Sequence, residues 1–225
     1  MKSKIQSYGY EIQIQVFSVP ILTENDTEKL GISQNLIAVK KGKSSYNKGT
    51  IVICAHYDST KDSIGANDNA SGVSVVMETA RLLKDVSSDY ELRFIFFGSE
   101  EAGNIGSHNY IDGLSPDDKK NIKAVLNIDS IAQEGASKPY IFTMNGKKNF
   151  AIMLLKNIPK NMNVKKAGRE ISDYAVFYEA GIPSLCIGQA YDKNLKINGP
   201  RDTISAISGS KLKLIADIII NSLDS

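Results

Sequence analysis

Four short runs of this chain are dominated by apolar side chains: residues 51–55, 92–97, 124–128 and 184–187. A strand that is apolar on both faces must be covered on both faces, which is the position of a central strand in a parallel sheet. Between these runs the apolar residues recur at helical spacing. Val73, Val76, Met77, Ala80 and Leu83 share one helix face within 70–84. Shorter helices are expected over 103–111 and 149–156, and over 172–179 with Ser172 as N-cap and Gly181 as the stop. A longer amphipathic helix is expected over 211–223. Buried strands alternating with helices predict an α/β protein: a three-layer α/β/α sandwich around a mixed, mostly parallel sheet.

The remaining segments fit around that sheet. Residues 11–19 alternate polar and apolar, with Ile12, Ile14 and Val16 on one face, as in a half-buried strand near a sheet edge. Residues 35–40 and 140–144 add two more strands. Residues 22–32 read as a loop, and 41–49 as turn chemistry. No repeat, linker or low-complexity stretch divides the chain, so residues 1–225 are expected to form one domain.

The totals narrow the function classes. With 27 basic and 25 acidic residues the formal net charge is +2, which offers no electrostatic case for a nucleic-acid or membrane partner. No run approaches the ~20 apolar residues of a membrane span. Residues 1–9 have no apolar signal core, an expectation of either a cytoplasmic chain or the mature form of a secreted one. The two cysteines, Cys54 and Cys186, lie in apolar runs and read as small buried core residues.

The chemistry gathers where the strands end. His56 and Asp58 follow the first apolar run, Glu100 and Glu101 the second, and Asp129 the third. Asp68 lies in Gly65-Ala66-Asn67-Asp68-Asn69-Ala70-Ser71-Gly72, just ahead of the first long helix. Ligands of open α/β sheets bind beyond the carboxyl ends of the strands. Singly, each residue has a plainer reading: a structural histidine, a turn aspartate, a solvated loop end. Together, several carboxylates and one imidazole would repel without a counter-charge, and these segments hold no cluster of lysine or arginine. A divalent metal supplies that charge, and a nitrogen-plus-oxygen donor set suits zinc. Asp58, two residues after His56, can hold the other imidazole nitrogen. One of the paired glutamates can bind metal while the other stays free as a base.

These stretches resemble the two-zinc aminopeptidase family, a group that also includes glutamate carboxypeptidases and glutaminyl cyclases. The resemblance rests on His56-Tyr57-Asp58-Ser59, the Gly65–Gly72 segment, Phe96-Phe97-Gly98-Ser99-Glu100-Glu101-Ala102-Gly103, Leu126-Asn127-Ile128-Asp129, Ser172-Asp173, Gly181-Ile182-Pro183 and Pro200-Arg201-Asp202-Thr203, in family order. It implies that His56 and Asp129 bind one zinc, that Asp68 bridges two, that Glu101 binds the second, and that Glu100 is the general base. It also implies a cis peptide at Asp68-Asn69.

One position departs from the pattern. The family's sixth ligand is a histidine shortly before Pro-x-Asp-Thr; here Asn198 occupies that place. The chain's other histidine, His108, lies where the family has no ligand. An amide oxygen is a weaker zinc ligand than imidazole. One zinc is therefore expected at His56, Asp68 and Asp129, with a weak or empty second site at Glu101, Asp68 and Asn198. The Ser-Asp-His of the family is likewise altered to Ser172-Asp173-Tyr174. The expected function is a zinc-dependent aminopeptidase acting on peptides with a free N-terminus. The alternatives are a catalytically impaired binding protein and, further off, a one-zinc enzyme of the glutaminyl cyclase or carboxypeptidase type, for which Arg201 is a candidate carboxylate clamp. The oligomeric state is left open.

Overall fold

The structure is a computed structural model and describes residues 1–22, 28–43 and 48–224. The strands are β1 (Ile12–Leu22), β2 (Glu28–Lys40), β3 (Thr50–His56), β4 (Glu91–Phe97), β5 (Ile122–Asp129), β6 (Pro139–Thr143), β7 (Val164–Lys166) and β8 (Ser184–Gln189). The helices are α1 (Lys2–Ser7), α2 (Gly72–Leu83), α3 (Ile105–Asp112), α4 (Pro116–Asn121), α5 (Phe150–Leu154), α6 (Tyr174–Glu179) and α7 (Gly209–Leu223). A π-helical segment, Ala66–Ser71, leads into α2, and a 3₁₀ turn, Ile204–Ala206, precedes α7.

All the strands lie in one 8-stranded sheet of order β1-β2-β4-β3-β5-β8-β6-β7. Its centre, β4-β3-β5-β8, is parallel throughout, and antiparallel strands flank it. This is the mixed α/β fold expected from the sequence. Every residue of β3 is buried, because it is covered on both faces. Ile51, Ile53 and Ala55 pack with residues of α1, α2, α5 and α7 on one side. Val52 and Cys54 pack with residues of α3 and α6 on the other. Both cysteines are free and buried. Among the described residues no helix is long and apolar enough to cross a membrane.

Several elements differ from the pattern expected from sequence. Part of the expected 22–32 loop is strand, since β2 begins at Glu28 and pairs with β1 as far as Leu22↔Glu28; residues 23–27 lie outside the described residues, as do 44–47 of the expected turn. β1 is the edge strand, and the expected inner face is covered only at its start, where Ile12 packs against the core. Phe17 and Val19 are buried, whereas Ile14 is 41% and Val16 62% exposed. Both faces of β1 carry apolar residues, so alternation alone could not choose between them. Helices α1 and α4, the short strand β7 and the 3₁₀ turn were not anticipated. For α4 a signal was present: Ser115 accepts the Asp118 N–H, and Pro116 sits in the first turn. Ser172 does not cap α6. Asp173 occupies the cap position, and the Ser172 hydroxyl instead accepts from Asn127 Nδ2 at 3.0 Å.

Candidate metal centre

The parallel register puts the carboxyl ends of the central strands side by side. His56 pairs with Phe97 in β4, and Cys54 of β3 pairs with Asn127 of β5. His56 therefore ends next to the glutamates that follow β4 and next to Asp129, the last residue of β5. Its Nε2 lies 3.1 Å from Asp68 Oδ1, 3.6 Å from Asp129 Oδ1 and 3.9 Å from Glu100 Oε2. Ligand atoms of His56, Asp68 and Asp129 all lie within 4.8 Å of one another.

The other ring nitrogen faces Asp58. His56 Nδ1 is 3.2 Å from the Asp58 main-chain oxygen and 3.5 Å from its Oδ1. The Asp58 carboxylate also accepts the backbone N–H groups of Glu100 and Glu101, each at 3.1 Å. One carboxylate thus sets the imidazole and the turn that presents both glutamates. Ser99, at the head of that turn, has φ 61°.

Asp68 is held by a lattice of side-chain-to-backbone bonds. Asp202 accepts the N–H of Asn67 at 2.6 Å and of Asp68 at 3.0 Å. Asn67 accepts the Ala132 N–H at 2.7 Å. Asn69 donates to the Ile128 carbonyl at 2.9 Å and accepts from Gly72 N at 3.0 Å and Ser130 N at 3.3 Å. The backbone packs too tightly here for a side chain at position 72. A Cβ on Gly72 would lie 2.3 Å from the Ile128 carbonyl oxygen and 2.4 Å from Asn69 Oδ1. The Asp68-Asn69 peptide is cis.

Charge is concentrated and poorly compensated. Burial acts to lower the His56 pKa, but Asp129 and hydrogen bonding with Asp58 and Asp68 override it and raise the imidazole well above its usual value. Burial first, then the Asp129, Asp173 and Asp68 charges, pushes Glu100 up to about 9 against the pull of His56. Burial and Asp68 push Glu101 up to about 7. Burial also raises Asp68, with Asp129 adding to it. Burial would raise Asp58 too, but His56 and the two backbone N–H groups outweigh it and hold this carboxyl low. Asp129 is likewise lowered, because His56 and the Ser172 and Ser130 hydrogen bonds outweigh its burial.

His56 Nε2 and Glu101 Oε1 are buried without an aligned hydrogen-bond partner. An imidazole nitrogen left open amid buried carboxylates fits a divalent cation with mixed nitrogen and oxygen ligands, and zinc above calcium or magnesium. His56, Asp68 and Asp129 would hold it, the number of protein ligands found in catalytic zinc sites with an open position.

A cleft of about 300 Å³ opens over this cluster. Its walls include Asp68, Glu100, Glu101 and Asp129 on the acidic side, with Ile171, Tyr191, Leu195 and Ile197 among the residues that complete it. The predicted residues are thus distributed unequally. His56, Asp68 and Asp129 form the cluster, Glu100 borders it, and Asp58 backs it. Glu101 lines the cleft but lies outside the group of three. Asn198 also lines the cleft, exposed and with φ 56°. His108 is exposed on α3. Tyr174 is fully buried, and its hydroxyl donates to the Glu170 carbonyl at 2.8 Å.

Asp202 is the main residue that reading the chain did not assign. It stood in a recognised motif, yet its partners are the main-chain N–H groups of residues 67 and 68, and nothing in sequence marks a backbone partner.

Residues 35–223 match the sequence profile of Peptidase family M28; the chain belongs to that family. Aminopeptidase YwaD of Bacillus subtilis is 36% identical over 198 residues, covering 83% of this chain and 43% of that protein. Two solved structures are similar at 35% identity. An aminopeptidase from Aneurinibacillus sp. strain AM-1 superposes with a TM-score of 0.80, covering 87% of this chain and 48% of that one. The zinc aminopeptidase BSAP from Bacillus subtilis superposes at 0.75, covering 87% and 51%. The chain spans about half the length of these relatives.

Proposed function

We propose that this chain is a zinc-dependent aminopeptidase that removes the N-terminal residue of peptides. The observation that carries the proposal is the buried group His56, Asp68 and Asp129, with His56 Nε2 unpartnered and Glu100 Oε2 3.9 Å from it. Membership of a peptidase family whose solved relatives include a zinc aminopeptidase supports the same reading.

Zinc held by His56, Asp68 and Asp129 would acidify a water and polarise the scissile carbonyl. The chain's own groups do the rest. Glu100, whose Oε2 lies 3.9 Å from His56 Nε2, is placed to take a proton from that water and return it to the departing amine. Asp58 keeps the imidazole oriented and, through the N–H groups of Glu100 and Glu101, sets the position of the base. Asp202 fixes the Asp68 backbone. Glu101 and Asn198 line the same cleft as Asp68 and would be the further ligands of a second zinc; an amide in place of an imidazole would make that position the weaker one.

The test is zinc content together with hydrolysis of aminoacyl p-nitroanilides by the native chain and by Glu100→Gln. The native chain should carry zinc and turn over. Glu100→Gln should keep zinc and lose turnover by about 100-fold or more, the range of general-base contributions. A zinc-loaded native chain without turnover would sink the aminopeptidase reading and favour a binding protein.

A further inference from the structure

The cleft over the metal centre carries one cation. Among the described residues lining it, Asp68, Glu100, Glu101, Asp129 and Glu170 are acidic, and Arg169 alone is basic. Among the described residues Arg169 takes part in no ion pair. Its neighbour Glu170 is spent on the backbone: one carboxylate oxygen accepts the Tyr191 N–H at 2.9 Å, the other the Gly168 N–H at 3.0 Å. These bonds hold the 168–170 loop against residue 191. The Arg169 guanidinium lies 5.3 Å from the centre of the Tyr191 ring. The result is a positioned, unneutralised guanidinium at the exposed mouth of an acidic cleft. Arg201, the clamp suggested by sequence, is not among the residues lining this cleft; it lines an adjoining surface depression that shares Leu195, Ile197 and Asn198 with the cleft.

We propose that Arg169 binds a substrate carboxylate downstream of the scissile bond, the C-terminal carboxylate of a short peptide or an acidic side chain on its second residue. This rests on the aminopeptidase reading, in which the N-terminal residue lies inward at the metal and the leaving portion points to the mouth. A cleft of about 300 Å³ is at the small end of ligand pockets, which run from ~300 to ~1,000 Å³. Successive Cα atoms are only ~3.8 Å apart, so the end of a di- or tripeptide lies near the cleft mouth. A guanidinium fork matches a carboxylate in two parallel hydrogen bonds.

Binding is measured by calorimetry with hydrolysis-inert analogues in which CH₂–NH replaces the scissile amide. Three ligands separate the sources of charge: the Leu-Gly analogue as free acid, the same analogue as C-terminal amide, and the Leu-Asp analogue as amide. For the zinc-loaded native chain the free acid or the Leu-Asp amide should bind roughly three- to tenfold more tightly than the uncharged Leu-Gly amide. In Arg169→Met that advantage should fall to about one, and Arg169→Lys should restore part of it. Whichever charged ligand holds the advantage identifies the source of the carboxylate. Equal binding of all three to the native chain overturns the proposal, as does an advantage that survives in Arg169→Met. The two readings fail separately. An Arg169-dependent advantage in a chain that hydrolyses no p-nitroanilide keeps the carboxylate site and removes the aminopeptidase. Hydrolysis without a carboxylate advantage does the reverse.

Discussion

At the scale of single residues, the site depends on groups that touch no ligand. Asp202 is the clearest: it spends its carboxylate on two consecutive N–H groups, one of them that of Asp68. Asp202→Ala should weaken zinc binding about 10- to 100-fold, as loss of outer-shell support generally does. Competition with a chromophoric chelator measures this, and unchanged affinity would remove Asp202 from the account. Asn198→His should add a second tightly held zinc, read as metal stoichiometry rising from one toward two; an unchanged count would show that the second position is weak for some other reason. A pH dependence follows from the raised groups. Without metal, the His56 imidazole is held well above its usual value and the Asp68 carboxyl is raised by burial and by Asp129. Zinc must displace these protons, so its binding releases protons and tightens with rising pH. The zinc-induced increase in Tm should be larger at about pH 8 than at about pH 6; the opposite order would contradict the charge arrangement. His56, Asp68, Glu100, Glu101 and Asp129 were legible in the chain because each stands at a strand end or ahead of a helix beside recognisable neighbours. The work of Asp202 was not legible, because it is done on main-chain groups far away in sequence.

At the scale of elements, the site is a property of register and close approach. The run Gly65–Gly72 is tied to the end of β5 by the Asn69 side chain, which donates to the Ile128 carbonyl and accepts the Ser130 N–H, and Gly72 packs against the Ile128 carbonyl oxygen. Gly72→Ala places a carbon 2.3 Å from the Ile128 carbonyl oxygen. The backbone must move, and the expected cost is about 1–3 kcal/mol of stability, measured by urea unfolding of the metal-free chain. A variant as stable as the native chain would show that this contact relaxes freely. The central strands were readable because burial on both faces leaves a continuous apolar run. The edge was not. β1 leaves Ile14 and Val16 exposed, and β2 leaves Leu30 and Ile32 at 76% and 82% exposure, although Ile12, Leu36 and Ala38 on the same face pack into the core. The other face of β1 meets α3, where Gln15 Nε2 donates to the Asn109 carbonyl at 2.9 Å.

At the scale of the molecule, one sheet gathers the ends of β3, β4 and β5 and gives each a different task. β3 ends in the imidazole, β5 in a carboxylate, and β4 in the turn that carries Glu100. Helices on both faces bury much of these ends, and that burial together with the neighbouring carboxylates drives Glu100 and Glu101 toward protonation. A cation is the remaining way to settle that charge. The fold, the family and the charge cluster therefore agree on what should occupy the cleft floor. The most direct measurement is anomalous diffraction at the zinc edge from crystals grown with zinc. The account predicts a dominant peak bounded by His56 Nε2 and by carboxylate oxygens of Asp68 and Asp129, with any second peak weaker and on the side of Glu101 and Asn198. A crystal with no peak among these three residues, or with its strongest peak elsewhere, would contradict it.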